Sequence, residues 1–376
     1  MTFAILANDT TYTYNLRGEL IRQLVALGNE VLVVGSLLSF QEELTQLGCR
    51  LIDVDTGRQG KNPIQDLGLL QKYIALLKHE APDAVLSFNI KPNIYGGIAC
   101  KHLKIRFFPN ITGLGKALEY PGPMQMLTKR LYRIGVSEAE CIFFQNKENE
   151  LFFKKNHLIK CGVQTVLLPG SGVDLNRFVP LPYPKGETTH FLFVSRLLKE
   201  KGIDLYLAAA KEIVGKYSNV VFHICGYCDD SSYQEIVSQA VSDGFVQYHG
   251  EQESMQPFYA LANCIVHPSY YPEGMSNVLL EAAACARPII TTERSGCMET
   301  VENGKTGYLI PVQDQNALVE AIECFLKLSR DEQEQMGLSG RQKVEREFDR
   351  SQVSQKYIEV IDRKHDENVN GKALQF

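Results

Sequence analysis

Two doubly wound α/β domains are the fold this chain's sequence predicts, on three observations. Short apolar runs alternate with helix-period segments through the whole sequence. The alternation breaks at Val179-Pro-Leu-Pro-Tyr-Pro-Lys-Gly186, where three prolines and a glycine make a linker. A length of 376 residues is enough for two cores of ordinary size. Strand–helix alternation of this kind means parallel sheets covered by helices on both faces. Ligands of such sheets bind at the carboxyl ends of the strands, so two domains facing a cleft are expected to use that cleft.

Taken in order, Phe3–Ala7 and Glu30–Val34 are strands joined by a helix from about Leu16 to Leu27, which Gly28 ends. Arg50–Val54, Ala84–Phe88, Arg106–Phe108 and Cys141–Phe144 continue the series. In the second half, His190–Val194, Val220–Ile224, Cys264–His267 and Pro288–Thr291 are apolar runs. Helical patterns at Ile203–Lys216, Tyr233–Asp243 and Asn316–Leu328 separate them. The domains are therefore drawn at 1–180 and 187–350, with a helix at about 351–365 expected to pack back on the first.

Composition agrees with a globular protein: 44% hydrophobic and 22% charged residues. No run approaches the ~18–20 apolar residues of a transmembrane helix. The start, MTFAILANDTTY, has no basic n-region and reads as a buried strand, not as a signal peptide. Ten scattered cysteines suit a reducing cytoplasm. Cys225-Gly-Tyr-Cys228 has redox spacing but follows a strand, and is read as a strand-end turn with two free thiols.

The richest stretch is His267 to Pro311. Glu273 and Glu281 stand there with seven residues between them. Glu273-Gly274 lies in the loop after a strand, Ser276-Asn277 supply N-cap chemistry, and Val278–Ala286 read as a helix. A helix N-terminus fed by a glycine-containing loop offers free N–H groups and positive dipole to a phosphate. Glu281, early in that helix, is placed to accept hydrogen bonds from a ribose diol.

This stretch, with Phe193-Val194-Ser195-Arg196-Leu197-Leu198-Lys199-Glu200-Lys201-Gly202 and Leu168-Pro169-Gly170-Ser171-Gly172-Val173-Asp174, resembles the family 4 retaining glycosyltransferases of GT-B fold. The order of segments matches, and the resemblance covers most of residues 1–350. It implies that Arg196 and Lys201 bind the leaving diphosphate and that Glu273 sits at the sugar, these three being the catalytic set. Gly274, Met275, Ser276, Asn277 and Glu281 complete the donor site. Protein cations then take the role of a metal, so no metal or other cofactor is expected. Asp53-Val-Asp55 has metal-motif spacing but ends a strand and is read as turn-forming. The family commonly has Phe-Gly where this chain has Met275-Ser276, which implies a sugar pocket of different shape.

The N-terminal half resembles family members that build bacterial surface polysaccharides and lipid-linked oligosaccharides. Tyr14 and Arg17, Lys91 in Ile90-Lys91-Pro92-Asn93, and Thr112-Gly113 after Asn110-Ile111 are its acceptor-side candidates. Many members have His-Gly where this chain has Thr112-Gly113. Thr10, Thr11 and Tyr12 are placed in the first strand–helix loop, as cleft contacts or N-caps.

The chain carries −5 overall, yet residues 91–160 hold twelve Lys and Arg against five Glu, a net +7. Within them Pro123–Gly135 reads as a helix with Met124, Leu127, Leu131 and Ile134 as an apolar stripe and Lys129, Arg130 and Arg133 off it. Two readings stand: a packed helix with a solvated basic face, or a helix in the segment 116–160 resting on an anionic membrane. The functional expectation is transfer of a hexose or N-acetylhexosamine from a UDP-sugar to a glycan or polyprenyl-diphosphate-linked saccharide. The setting expected for it is the cytoplasm or the inner face of the cell membrane. A UDP-sugar epimerase or hydrolase of the same fold, and a non-catalytic sugar-nucleotide binder, are the competing functions.

Overall fold

The computed structural model describes residues 1–57, 63–228 and 231–373. They form two compact units. The first comprises Met1–Gly172, Glu273–Met275 and the chain from Arg350 on; the second comprises Val173–Pro272 and Ser276–Asp349.

The first unit is built on β1 (Thr2–Asp9), β2 (Glu30–Ser36), β3 (Arg50–Asp53), β4 (Ala84–Phe88), β5 (Arg106–Ile111), β6 (Cys141–Phe144) and β7 (Gln164–Leu167). They pair in the order β3-β2-β1-β4-β5-β6-β7, every pair parallel. Strands covered on both faces cannot alternate apolar with polar residues, which is why Cys141-Ile-Phe-Phe144 is buried throughout. One core lies on each face of the sheet. The helix Arg350–Ala373 contributes Val353, Tyr357, Ile358 and Ile361 to one of them, beside Leu20, Phe88 and Phe143.

The second unit carries β8 (Thr189–Val194), β9 (Val220–Cys225), β10 (Gln247–Tyr248), β11 (Cys264–His267), β12 (Ile289–Thr292) and β13 (Gly307–Ile310). Their order is β10-β9-β8-β11-β12-β13, again all parallel. Phe191, Phe193, Phe222 and Ile224 pack on the helices Ile203–Lys216 and Gln315–Leu326. The opposite strand face holds a histidine chain. His190 Nδ1 lies 2.9 Å from His223 Nε2, and His223 Nδ1 lies 2.9 Å from His249 Nε2. The proline-rich segment 179–186 lies in this unit, where the carbonyls of Leu181 and Pro182 accept hydrogen bonds from Arg287.

The first helix differs from its sequence reading. It runs Thr10–Ala26 because Asp9 caps it, its carboxylate accepting from the Tyr12 N–H at 2.8 Å. Thr10, Thr11 and Tyr12 therefore form its first turn and not a loop. Thr10 spends its hydroxyl on the Leu38 N–H at 2.8 Å.

Candidate functional site

Strand order reverses direction between β8 and β11, the place where a doubly wound sheet opens a crevice at its carboxyl edge. The loop after β8 carries Arg196, and a single 3₁₀ turn, Lys199–Lys201, follows it. Gly202 ends that turn at φ +80°. A Cβ there would stand 2.2 Å from the Pro268 carbonyl oxygen, so only glycine lets this turn lie against the segment after β11. Tyr271, from that segment, brings the two cations together: Lys201 Nζ is 4.8 Å and Arg196 Cζ 5.9 Å from its ring centre.

The two cations differ in state. Arg196 is exposed, whereas Lys201 is only 6% exposed. Burial pushes the Lys201 ammonium down to about 7; Cys297 opposes that shift and Arg196 adds to it. His267, fully buried at the end of β11, is held neutral down to about 3, first by burial and then by Lys201.

The helix Asn277–Ala284 begins here. Ser276 is its N-cap but gives it no side-chain hydrogen bond, so the first-turn N–H groups are not covered by a cap. The Ser276 N–H is itself tied to the Gly296 carbonyl at 2.8 Å. Asn277 Oδ1 is buried without a hydrogen-bond partner among the described residues. One turn on, Glu281 is partly exposed, and its Oε2 accepts from the Tyr259 hydroxyl at 3.1 Å.

In the first unit, the Asn146 amide donates to the carbonyls of Glu273 at 3.0 Å and Gly274 at 2.6 Å. A Cβ on Gly274 would come within 2.4 Å of the Thr112 carbonyl oxygen and 2.3 Å of Gln145 Oε1. Thr112 thus meets this tripeptide through its backbone, and Gly113 turns the chain at φ +147°. Arg17 lies buried over the Phe88 ring, 4.1 Å from its centre, at the carboxyl end of β4. Tyr14 stacks on Phe40 at 4.8 Å. Lys91 is engaged structurally, paired with Asp66 at 3.0 Å and donating to the Gly57 carbonyl at 2.7 Å.

Tyr271, Tyr259 and Asn146 escaped the sequence reading. Each acts through contacts made from a loop or short helix, and periodicity carries no trace of them. For Tyr271 the adjacency to Glu273 was the one available signal.

Cys225 and Cys228 are buried at a strand end, and burial pushes the Cys225 thiol up to about 12, far from a reactive thiolate. The helix Pro123–Gly135 forms as its spacing implies, but three of the four stripe residues face outward. Met124, Leu127 and Ile134 are 45, 50 and 42% exposed, while Thr128, Tyr132 and Gly135 are the buried positions. Leu131, the fourth member of the stripe, is half-buried and packs against the core of the first unit, so the stripe is packed at that position alone.

Residues 4–146 match the family described as "Glycosyl transferase 4-like", and residues 188–327 match "Glycosyl transferases group 1". The capsular polysaccharide biosynthesis glycosyltransferase CapM of Staphylococcus aureus is 30% identical over 75% of this chain and 77% of its own. An N,N'-diacetylbacillosaminyl-diphospho-undecaprenol alpha-1,3-N-acetylgalactosaminyltransferase of Campylobacter jejuni is 24% identical over 96% of this chain and 99% of its own. A crystal structure of a glycosyltransferase from Rickettsia africae superposes with a TM-score of 0.79 at 18% identity, over 96% of this chain and 98% of that one. The last of these likenesses concerns the fold alone, which is GT-B.

Proposed function

The chain belongs to the group 1, family 4 glycosyltransferases, and from that premise we propose that it moves a hexose or N-acetylhexosamine, with retention, from a UDP-sugar to a polyprenyl-diphosphate-linked saccharide or growing glycan. The observation that carries this reading is the pair Arg196 and Lys201 around Tyr271, beside a helix start with no side-chain cap.

In the donor, the bond between the anomeric carbon and the diphosphate oxygen breaks, and negative charge grows on that oxygen. Cations already in place interact more strongly with that charge than with the intact donor, which lowers the barrier. The Asn277–Ala284 helix start adds N–H groups and dipole on the same group. Glu281 binds the ribose diol. Glu273 orients the sugar hydroxyls. The acceptor hydroxyl attacks from the face the diphosphate leaves, and its proton passes to the departing phosphate oxygen. No protein nucleophile is required, and no metal, because Arg196 and Lys201 neutralise the diphosphate.

The acceptor belongs with the first unit. The relative from C. jejuni is named for a diphospho-undecaprenol acceptor, which supports a lipid-linked one here. So does the helix Pro123–Gly135, which turns Met124, Met126, Leu127 and Ile134 outward beside the exposed Arg130 and Arg133. Apolar side chains ringed by cations suit an anionic bilayer surface. Among the described residues no helix is long and apolar enough to cross a membrane, so contact through 116–160 would be peripheral.

Arg196→Ala tests the donor assignment. Turnover should fall about 10²–10³-fold while the melting curve stays put, since one preorganised partner of the leaving group is lost. Unchanged kinetics in a folded variant would remove Arg196 from the site.

A further inference from the structure

We propose that Tyr259 is a positioning residue for donor binding, its hydroxyl holding the Glu281 carboxylate in the orientation that receives the ribose. The inference rests on the role given above to Glu281.

Tyr259 lies in the short helix Gln256–Leu261 and is fully buried. A phenol hydroxyl taken out of water needs a partner, and this one donates to Glu281 Oε2 at 3.1 Å. Burial, and then Glu281, raise the Tyr259 hydroxyl well above its ordinary range, so the proton stays on the tyrosine and the carboxylate is the acceptor.

Tyr259 is itself anchored from the other side. Its carbonyl accepts from Arg287 Nε at 2.6 Å. Arg287 is fully buried, and its Nη2 also donates to Leu181 and Pro182 carbonyls at 3.2 and 2.7 Å. Phe178 packs edge-on against the Tyr259 ring, with centroids 6.4 Å apart. Glu281, Phe178 and Arg287 thus hold Tyr259 through its hydroxyl, its ring and its carbonyl. The hydroxyl narrows the rotamers open to a glutamate on a partly exposed helix face. Narrowing them before the ligand arrives lowers the ordering cost of binding.

The test is calorimetry on the full chain with UDP and GDP and with their 2′,3′-dideoxy counterparts. Tyr259→Phe keeps the packed ring and deletes one hydroxyl. It should weaken binding of the preferred ribonucleotide about tenfold and leave the dideoxy nucleotide unchanged. Donor KM should rise with kcat retained, because the ribose is held equally in ground and transition states. Adding Tyr259→Phe to Glu281→Ala should cost nothing more. Equal losses for ribo- and dideoxynucleotide would make Tyr259 a merely structural residue and overturn the proposal. So would wild-type affinity in Tyr259→Phe when Glu281→Ala is weakened. Wild-type affinity in Glu281→Ala would instead overturn the ribose role, and binding of neither nucleotide to the native chain would overturn the donor reading itself.

Discussion

Nucleotide affinity should fall steeply above neutral pH, and Lys201 is the reason. The free ammonium has an ordinary value near 10.5, and burial brings it to about 7 here. At pH 7 about half of the unliganded protein then carries the charge; at pH 9 about one molecule in a hundred does. A diphosphate beside Nζ favours the charged form, so the bound complex keeps its proton throughout this range. The sign follows: binding above pH 7 must take up one proton, and affinity falls as pH rises. The ratio of charged fractions makes the loss about 50-fold between pH 7 and pH 9. UDP titrations at those pH values, in buffers of differing ionisation enthalpy, read both the affinity and the proton. Lys201→Arg carries a charge that does not titrate in this range, so its affinity should be flat with pH. A native protein whose UDP affinity does not change from pH 7 to pH 9, with no proton uptake, would refute the reasoning.

Other outcomes follow from the same assignments. Glu281→Ala should weaken UDP binding, whereas Glu273→Ala should leave UDP affinity intact and depress transfer; equal loss of affinity in both would erase that division of labour. Turnover should persist in EDTA, and abolition by chelator with recovery on adding magnesium or manganese would contradict the role of Arg196 and Lys201. The protein should sediment with anionic vesicles at low salt and less so as salt rises. Each basic residue near such a surface is worth about 1 kcal/mol. Lys129→Gln, Arg130→Gln and Arg133→Gln combined should lower that binding and spare UDP affinity, and equal binding to neutral vesicles would remove the electrostatic part of the argument.

Much of the fold could be read in advance because buried parallel strands write themselves as apolar runs. β1, β4, β6, β8 and β11 are all of that kind. The strands that went unseen are sheet edges: β7 (Gln164–Leu167), the two-residue β10 (Gln247–Tyr248) and β13 (Gly307–Ile310). An edge strand has a neighbour on one side only, and its exposed positions admit polar residues. The helix Pro123–Gly135 was placed to the residue, yet its spacing left open which way the stripe faces. Thr128, Tyr132 and Gly135 pack because they are small or reach a partner, and periodicity of apolar residues does not weigh that. At the site, strand ends and the glutamate pair were legible as loops and helix starts. The Tyr271 platform and the Tyr259 hydroxyl were not, because each is a contact between segments distant in sequence.

The histidine chain across β8, β9 and the residue after β10 sets a proton count. A neutral imidazole carries one N–H, so three rings bring three protons, and the two N···N contacts use one each. Both contacts are satisfied only when all three rings adopt tautomers of a single sense, which makes the strand neighbours report one another's protonation. One added proton can reside on an outward nitrogen and leave both contacts whole. A second has nowhere to go except between two facing nitrogens that already share one. Burial, and then the neighbouring imidazoles, hold His223 down at about 4, below the ordinary histidine value. The unfolded chain accordingly takes up protons first as pH falls from the ordinary histidine range toward 4, and the second unit loses stability over that interval. A strand register that backbone hydrogen bonds would keep at any pH is here coupled to acid through three side chains.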